Sequence, residues 1–525
     1  MLAFVAIFHL NRLASSQLLD HTYYTYGTNN HMRNNIVFVV SEDQVNSLQP
    51  IYCQLSKMEN ASTHVIFIGQ KKSASEACNA FIYHLEIANG ILEESISTLT
   101  FQRINNILNT IQTDVLIHIK DVEDNIMRNI NTAIAIISQT KGFVRIAVPL
   151  EESKHLNWIT DLSIETLKQW NAPKIRIQVI TQNRPDSLAR LVQSLNSSFY
   201  FGDDVPMTMN IDRSADPVTL EYCKTFKWRH GKKEIRHRVV QGGLLPAIVE
   251  SYYPADEDDY GIILEDDVEV SPFFYIWTKY SILKYKYGPK RSLSGRIFGV
   301  SFYNTKVNEL HFKGRRPFDP RLALEGTDYP SQTPYLSQVP CSWGAVFFPE
   351  IWREFHHYLT ARLKDRDGPK LQNITVPECR SNRWSRSWKR FLIELVYLRG
   401  YVMLYPNYDN FTSFSTNHAE RGTHVHSKNS PIVFGLPLMS ENNVMTGLPE
   451  NRLPEFEKLP VMDLFGNVVS SEEIIRRGHS LHYKISKCPP NDSNEITYDP
   501  KDLLCVDEKM RQIATKSEST QNTNF

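Results

Sequence analysis

The sequence has no excess of charge of either sign, since its 525 residues contain 58 Lys and Arg against 58 Asp and Glu. A balanced charge gives no support for a protein that coats nucleic acid or binds acidic surfaces in general, so no nucleic-acid partner is expected. Hydrophobic residues make up 41% of the chain and charged residues 22%, and this composition excludes disorder for most of its length. The length predicts two or three domains.

Long hydrophobic runs are also lacking. The run from Leu2 to Leu10 is too short to span a bilayer, which takes roughly 20 apolar residues. Small residues at Ala14 to Ser16 follow it, so residues 1–33 are interpreted as a signal peptide or a truncated membrane anchor with a leader. A frayed apolar terminus fits the same pattern. No other segment is apolar enough over a sufficient length to cross a membrane.

Cysteine is scarce, and its spacing carries little information. The seven cysteines include no C-x-x-C pair and no zinc-ligand spacing. Cys488 and Cys505 either close a loop in an oxidising compartment or remain two free thiols. Five Asn-x-Ser/Thr triplets favour the secretory pathway, with the ER or Golgi lumen as the expected location. The triplets begin at Asn60, Asn196, Asn373, Asn410 and Asn491.

Apolar strands alternate with helix-period segments in the first third of the chain. The predicted strands are Ile36–Val40, Val65–Gly69, Val115–Lys120 and Val144–Pro149. This alternation predicts a small α/β, Rossmann-like domain over residues 34–150, followed by a connector over residues 151–173. No G-x-G-x-x-G motif follows Gly69, so a dinucleotide site is unsupported.

A second α/β unit with a mixed sheet flanked by helices is predicted over residues 174–430. Its first strand is Lys174–Thr181, and a helix opens at Asp186 with apolar residues on one face. The next predicted strands are Met207–Ile211 and the segment GIILE, which ends at Glu265. Residues 431–525 are interpreted as a loop-rich extension with a disordered tail.

Three predicted strands of this unit end in polar side chains. These are Asn183 and Arg184, then Asp212, then the run Glu265, Asp266 and Asp267. Ligands of open α/β sheets lie at the carboxyl ends of the strands, so these side chains are expected to surround one site. Three adjacent carboxylates repel one another unless a cation or ligand hydroxyls lie between them.

Oxygen ligands without cysteine or paired histidine suit Mg²⁺ or Mn²⁺, with phosphate and water completing the coordination. The pattern therefore predicts a metal that neutralises a nucleotide-diphosphate leaving group. The alternative is a solvated acidic turn that caps the helix after Ser271 and Pro272.

Two motifs extend this interpretation. The segment VITQNR from Val179 to Arg184, and LEDDVEVSPFFY from Leu264 to Tyr275, resemble nucleotide-sugar glycosyltransferases of the GT-A fold, in particular the N-acetylglucosaminyltransferase I group. From about Lys174 to His426 the chain is more similar to plant and fungal family-2-like glycosyltransferases. The segments that carry this second similarity are Gln241–Leu244, Pro340–Ala345, Tyr397–Tyr401, Tyr405–Asn407 and Ser415–His418.

The resemblance implies transfer of a sugar from a UDP- or GDP-linked donor to a glycan or protein acceptor. It implies that Asp267 holds the metal and that Glu265 and Asp266 accept hydrogen bonds from the donor's sugar and ribose. Thr181, Asn183 and Arg184 would lie along the nucleotide, and Asp212 would contact the base or the ribose. In a glycosyltransferase, either Arg184 or the Lys and Arg residues of segment 227–238 would add positive charge beside the diphosphate. His424 would lie near the metal, with His418 or His426 as alternatives.

One departure from the family affects the reaction. Inverting members carry an acidic base at the start of a helix, whereas the comparable stretch from Arg383 to Trp388, RWSRSW, has no carboxylate. Glu394 lies nine residues beyond Ser385, about two and a half helical turns, and is expected to point elsewhere. Another acid serves as base, or the reaction retains configuration, or activity is lost.

Two further hypotheses follow. A non-catalytic glycan- or partner-binding protein that kept the fold would explain the missing base. A nucleotidyltransferase would need a Gly-rich phosphate loop after the first strand, and the sequence QNRPDS at that place lacks one.

Overall fold

The computed structural model describes residues 34–69, 78–85, 93–367, 374–420, 434–485 and 498–503. Several predictions from the sequence lie outside these residues: the N-terminal signal or anchor, Cys488, Cys505, and the disordered tail. His424, His426 and the triplets at Asn373 and Asn491 also lie outside them. Among the described helices, none combines the length and the apolar character that crossing a bilayer requires.

The first unit is a five-stranded parallel sheet with strand order β3-β2-β1-β4-β5. Its strands are β1 (Asn34–Ser41), β2 (Ala61–Ile68), β3 (Phe81–Leu85), β4 (Val115–Ile119) and β5 (Val144–Val148). Its helices are α1 (Val45–Leu55), α2 (Glu93–Ile111) and α3 (Asn125–Lys141). The apolar runs of β1 and β4 are buried because both strands lie inside the sheet with neighbours on either side.

A disulfide between Cys53 and Cys78 joins α1 to the residues just before β3. This pair was not predicted from the sequence. Cys223, Cys341 and Cys379 are buried free thiols.

The connector consists of α4 (Leu150–Ser153), a 3₁₀ helix (Leu156–Asp161) and α5 (Ile164–Leu167). Its 3₁₀ helix packs against α1, and the ammonium of Lys168 lies 2.8 Å from a carboxylate oxygen of Asp114, at the start of β4. Trp158 is fully buried and stacks on Trp170 with ring centroids 5.3 Å apart. The connector is therefore part of a hydrophobic core that continues from the first sheet into the second.

The second unit is built on a ten-stranded mixed sheet. Its strands, with the short ones beside it, are β6 (Lys174–Thr181), β7 (Met207–Ile211), β8 (Lys233–His237), β9 (Asp259–Glu265), β10 (Val268–Val270), β11 (Ile297–Ser301), β12 (Val307–Asn308), β13 (Arg316–Pro317), β14 (Tyr335–Ser337), β15 (Ala345–Phe347), β16 (Val402–Tyr405), β17 (Ser415–Asn417), β18 (Val461–Met462) and β19 (Val468–Val469).

The helices of this unit are α6 (Pro185–Asn196), α7 (Pro217–Thr225), α8 (Leu244–Val249), α9 (Phe274–Ile282), α10 (Pro320–Ala323), α11 (Pro349–Asp367), α12 (Trp388–Arg399) and α13 (Ser471–Ile485). The strand order is β19-β18-β14-β16-β11-β15-β9-β6-β7-β8. The predicted fold class, a mixed α/β sheet flanked by helices and preceded by a small α/β unit, is confirmed.

The strand directions determine where a site can form. β6, β7, β8 and β9 run parallel to one another, and β15 runs antiparallel between β9 and β11. The carboxyl ends of β6, β7 and β9 therefore share one edge of the sheet, which we call the carboxyl edge, with the amino end of β15.

The short strand β17 lies against the carboxyl edge and pairs with β10, which follows the acidic run. Gly344 precedes β15 with φ +98°, and a Cβ there would lie 3.2 Å from the side chain of Ser415 and 3.3 Å from that of Leu264. Glycine at this position thus lets β9, β15 and β17 approach closely.

Helix α13 falls within residues 431–525, which the sequence analysis interpreted as loop-rich. It packs against α12 through Gly478, where an added Cβ would lie 2.5 Å from the carbonyl oxygen of Tyr397. The structure thus corrects that interpretation for residues 461–485, which contain β18, β19 and α13.

Candidate functional site

The three strand ends singled out in the sequence meet at the carboxyl edge. Ile180 pairs with Glu265 between β6 and β9, and Thr181 pairs with Ile211 between β6 and β7. Beyond the strands, the N–H of Asp212 donates to the carbonyl of Thr181 at 3.1 Å, and the N–H of Asp266 donates to the carbonyl of Ile180 at 3.1 Å. The backbone thus fixes these acidic residues side by side.

Asp266 is buried and contacts two other side chains of this group. Its side chain is 1% exposed, accepts a 2.8 Å hydrogen bond from the hydroxyl of Thr181, and lies 2.5 Å from a guanidinium nitrogen of Arg184. Desolvation raises the pKa of Asp266 to about 6, although Arg184 and Thr181 act in the opposite direction. Asp266 is thus held by an ion pair with Arg184 and a hydrogen bond from Thr181.

Glu265 carries the largest electrostatic perturbation of the acidic run. Desolvation, and then the neighbouring carboxylates of Asp267 and Asp266, raise its pKa to about 8. Arg184 and Lys389 lower it, but by less. At neutral pH the carboxyl group of Glu265 therefore holds a proton until additional positive charge arrives.

Asp267 is partly accessible, with 19% of its side chain exposed, whereas Asp266 is buried. A guanidinium nitrogen of Arg184 lies 3.6 Å from it, and its backbone carbonyl accepts a 2.9 Å hydrogen bond from the N–H of His418. Asp266 and Asp267 together carry more negative charge than the Arg184 guanidinium beside them offsets, which favours a further cation.

The carboxylate oxygens available here suit a metal ion that binds only one or two protein side chains. Within the described part of the chain, no three His, Cys, Asp or Glu side chains are grouped as a metal cage. Mg²⁺ and Mn²⁺ are commonly held by one or two carboxylates with phosphate and water as the other ligands, so Asp267 beside protonatable Glu265 fits such an ion.

Asp212 contributes a buried acceptor at the next strand end. One of its carboxylate oxygens accepts a 3.3 Å hydrogen bond from the N–H of Gly243, in the loop before α8. The other oxygen is buried and has no hydrogen-bond partner among the described residues. A buried acceptor of this kind is suited to a ligand hydroxyl or N–H.

The remaining predicted site residues occupy different places. Asn183 is exposed in the turn before α6, whereas Arg184 begins that helix with Pro185 at its first position. His418, one of the alternatives to His424, directly follows β17, but its ring nitrogen Nε2 is 2.7 Å from the carboxylate of Glu269. His424 lies outside the described residues.

The wall beyond β9 contains two charged residues that the sequence analysis did not single out. Lys389, in the first turn of α12, forms a hydrogen-bonded ion pair with Glu309 and lies 5.9 Å from the centre of the Trp343 ring. Trp343 packs against Tyr303 with ring centroids 4.8 Å apart. Glu309 lies in an irregular segment without a motif, and its partner is 80 residues away in sequence, so no local pattern identifies it.

Glu394 lies in the core of the second unit, away from the carboxyl edge. It is fully buried, accepts a 3.0 Å hydrogen bond from the hydroxyl of Tyr358, and pairs with Arg362 at 3.0 Å and Arg390 at 3.2 Å. It points away from the stretch Arg383–Trp388, as expected from its place on the helix, and its contacts give it a structural role. Trp384 is half-buried in the same core.

Two family models match the chain in consecutive segments. The model described as the SPBC1E8.03c N-terminal domain matches residues 19–170, and the model described as the SPBC1E8.03c C-terminal domain matches residues 186–305 and 312–368. No curated protein matches the chain in sequence.

Solved structures match only distantly. GalNAc-T7 with UDP, GalNAc and Mn²⁺ is 14% identical, covering 45% of this chain and 42% of that one, with a TM-score of 0.28. TarS residues 1–349 from S. aureus are 12% identical, covering 45% and 58%, with a TM-score of 0.24. UDP-GlcNAc 2-epimerase from Neisseria meningitidis, bound to UDP-GlcNAc, is 10% identical, covering 48% and 80%, with a TM-score of 0.18.

At these TM-scores the solved structures say nothing about what this chain binds. The family matches are the informative comparison: the chain is similar to the N-terminal and C-terminal domains of SPBC1E8.03c, in that order, over most of residues 19–368.

Proposed function

We propose that this protein is a metal-dependent glycosyltransferase with a GT-A-like second unit, which moves a sugar from a UDP- or GDP-linked donor to a glycan or protein acceptor. The observation that carries the proposal is the meeting of Thr181, Asp212 and the acidic run Glu265–Asp267 at one carboxyl edge. This edge is where open α/β sheets bind nucleotides. Burial, and then the neighbouring carboxylates of Asp267 and Asp266, raise the pKa of Glu265, and perturbed carboxyl groups of this kind are common at functional sites.

Each side chain has a chemical role in this proposal. Asp267 would hold Mn²⁺ or Mg²⁺, and the bound ion would stabilise the negative charge of the departing diphosphate. Asp212 offers its buried free oxygen to the base or the ribose. Arg184 holds Asp266 and lies between the acidic run and the start of α6, where it adds positive charge beside the diphosphate.

We also propose that the protein works in the secretory pathway, in the ER or Golgi lumen. The Cys53–Cys78 disulfide supports an oxidising compartment. Asn60 and Asn410, each the first residue of an Asn-x-Ser/Thr triplet, are exposed and accessible to glycosylation.

Isothermal titration with UDP and GDP, with and without Mn²⁺, tests the donor site. We expect one nucleotide to bind only with Mn²⁺, and Asp267→Asn to weaken that binding at least about tenfold, because the metal loses its carboxylate ligand. The matched control is Asp256→Asn, a half-exposed acid that pairs with Lys174 just before the amino end of β9, at the opposite edge of the sheet. If neither nucleotide binds to the folded wild-type protein, the proposal is wrong.

A second candidate is a non-catalytic protein that binds nucleotide sugars or glycans. The absence of a carboxylate between Arg383 and Trp388, just ahead of α12, favours it. Metal-dependent nucleotide binding without any breakdown of the corresponding nucleotide sugar would support this second candidate over the enzyme.

A further inference from the structure

A cavity of about 340 Å³ lies where the first unit, the connector and the second unit meet. Helix α3 and strand β5 form its wall in the first unit, Trp170 and Asn171 follow the connector's last helix, and residues 201–203 border it from the second unit. The residues that meet at the carboxyl edge do not line it. Ligand pockets commonly enclose about 300–1,000 Å³, so this volume suits a small molecule with a single ring.

Strand β5 is held firmly beside this cavity. Gly202 has φ +81°, and a Cβ there would lie 2.2 Å from the carbonyl oxygen of Ala147, so the second unit packs directly on the strand. From the connector side, the side-chain amide of Asn171 donates a 3.4 Å hydrogen bond to the carbonyl of Arg145. A ligand that enters between these segments therefore meets a wall that is already formed.

Arg145 supplies the positive charge of this wall. Ile146 and Val148 of β5 are buried in the hydrophobic core, so Arg145 and Ala147 project from the opposite face of the strand, and both line the cavity. Among the described residues, no carboxylate forms an ion pair with the half-buried guanidinium of Arg145. Its planar set of N–H donors is therefore available to bind a carboxylate or a phosphate group.

Asp203 also lines the cavity, but its charge is already offset by another cation. Its two carboxylate oxygens lie 2.6 and 2.7 Å from the ammonium of Lys279, whose side chain is 1% exposed, and the hydroxyl of Tyr275 donates to it at 2.6 Å. If Asp203 turned toward Arg145, it would leave a buried ammonium without its partner. The cavity thus keeps the net positive charge of Arg145.

The other polar groups of the wall suit hydroxyl groups. The side-chain amide of Gln139 has no hydrogen-bond partner among the described residues, and Asn171 has its side-chain oxygen available as an acceptor. Phe143 adds an apolar surface to the same wall. Neutral amides beside an apolar surface can bind a ring that carries several hydroxyl groups.

We propose that this cavity binds a single sugar ring that carries a carboxylate or a phosphate group. The anionic group contacts Arg145, and the hydroxyl groups contact Gln139 and Asn171. Because residues from both units line the cavity, the bound ring bridges the two units. The inference makes no use of the carboxyl edge, so it stands or fails separately from the proposed function.

Isothermal titration of the full chain without added metal tests this site. The probes are D-glucose 6-phosphate and D-glucuronate, with D-glucose and inorganic phosphate as the reference ligands. We expect an acidic sugar to bind at least about tenfold more tightly than either reference, because it alone satisfies both the guanidinium and the amides. Tighter binding of glucose 6-phosphate would assign a sugar phosphate, and tighter binding of glucuronate would assign a sugar acid.

Two variants locate the binding. Arg145→Gln should weaken it at least about tenfold, because the charge is lost while the side chain stays polar. Arg128→Gln is the matched control and should bind the acidic sugar as the wild type does. Arg128 is exposed on α3, does not line the cavity, and donates its hydrogen bonds to Asn125 and Glu123 close by in sequence.

Ala135→Leu covers the case in which Arg145→Gln does not fold. Ala135 lines the cavity from α3, so the larger side chain fills part of the space without removing any charge. We expect this variant to lose acidic-sugar binding. The proposal is overturned if the wild type binds neither acidic sugar, if glucose or phosphate binds as tightly, or if a folded Arg145→Gln or Ala135→Leu variant binds as the wild type does.

Discussion

Two glutamates near Lys389 have opposite shifts in pKa, and the difference comes from the groups around each. Glu265 follows a buried strand and has two acidic neighbours in sequence, so its pKa rises. Glu309 is surrounded by cations from other segments, so its pKa falls. The environment of Glu265 is visible in the sequence as the run EDD at a strand end. The environment of Glu309 depends on contacts between distant segments, so no pattern around Glu309 could predict its lowered pKa.

The raised pKa of Glu265 leads to a prediction about stability. The ordinary value is 4.5 and the folded value about 8, so between these pH values the folded protein binds a proton that the unfolded chain has released. Wild-type stability should therefore fall as pH rises through this range, by up to about 1.4 kcal/mol per pH unit. Gln does not titrate, so we expect Glu265→Gln to become progressively more stable relative to wild type from pH 5 to pH 8.

Urea unfolding of the metal-free protein at pH 5 and pH 8 measures this difference. Glu221→Gln, at an exposed position on α7, controls for the loss of a glutamate as such. A difference between wild type and Glu265→Gln that stays constant across the two pH values would show that Glu265 does not bind the extra proton.

Strands and helices differ in how well the sequence predicts them, and the reason is where each lies in the sheet. β1, β4, β6 and β9 are buried between neighbours, and their continuous apolar runs were recognised. β3 and β8 each lie at one edge of their sheets and carry exposed or polar side chains, so neither was predicted. β5 lies at the other edge of the first sheet, but its apolar residues were recognised as a strand. An edge strand is thus missed when its side chains are exposed or polar.

The helix α13 was missed because loops flank it and a glycine interrupts it. Gly478 permits close packing on α12, since an added Cβ would lie 2.5 Å from the carbonyl oxygen of Tyr397 and 2.6 Å from that of Leu398. We expect Gly478→Ala to lower the free energy of unfolding by about 1–3 kcal/mol, because backbone atoms cannot move aside as a flexible side chain can.

Urea unfolding at constant pH measures this cost. Ser480→Ala, at an exposed position of the same helix, is the control and should have little effect. A Gly478→Ala variant as stable as the wild type would mean that α13 and α12 are not held this closely together.

At the scale of the whole molecule, one hydrophobic core passes from the first sheet through the connector into the second sheet. The sequence predicted two α/β units, but the apolar residues of the connector gave no indication of which unit they would join. In the structure, the connector packs on α1, and Lys168 pairs with Asp114 of the first unit. The family match that ends at residue 170 covers the first sheet together with this connector.

This continuity predicts how fragments behave. We expect residues 19–150 expressed alone to aggregate, because the apolar surface that the connector covers would face water. Residues 19–173 should be more soluble and show far-UV circular dichroism of an α/β domain. Size-exclusion chromatography and circular dichroism of both fragments test this expectation. A monomeric, folded 19–150 fragment would contradict it.

The basic strand β8 has a consequence for how copies of this protein behave at high concentration. It is the last strand of the ten-stranded sheet, and Ile235, Arg236 and His237 are exposed on it. The unpaired backbone N–H and C=O groups of an outermost strand can form hydrogen bonds with a strand of another chain. Glu234 pairs with Lys232 at 2.7 Å, but Lys232, Lys233 and Arg236 together outnumber it, so a second copy approaching β8 along the same edge would bring net positive charge against net positive charge. The charge that ends the sheet thus also protects the protein against edge-to-edge aggregation in a crowded compartment.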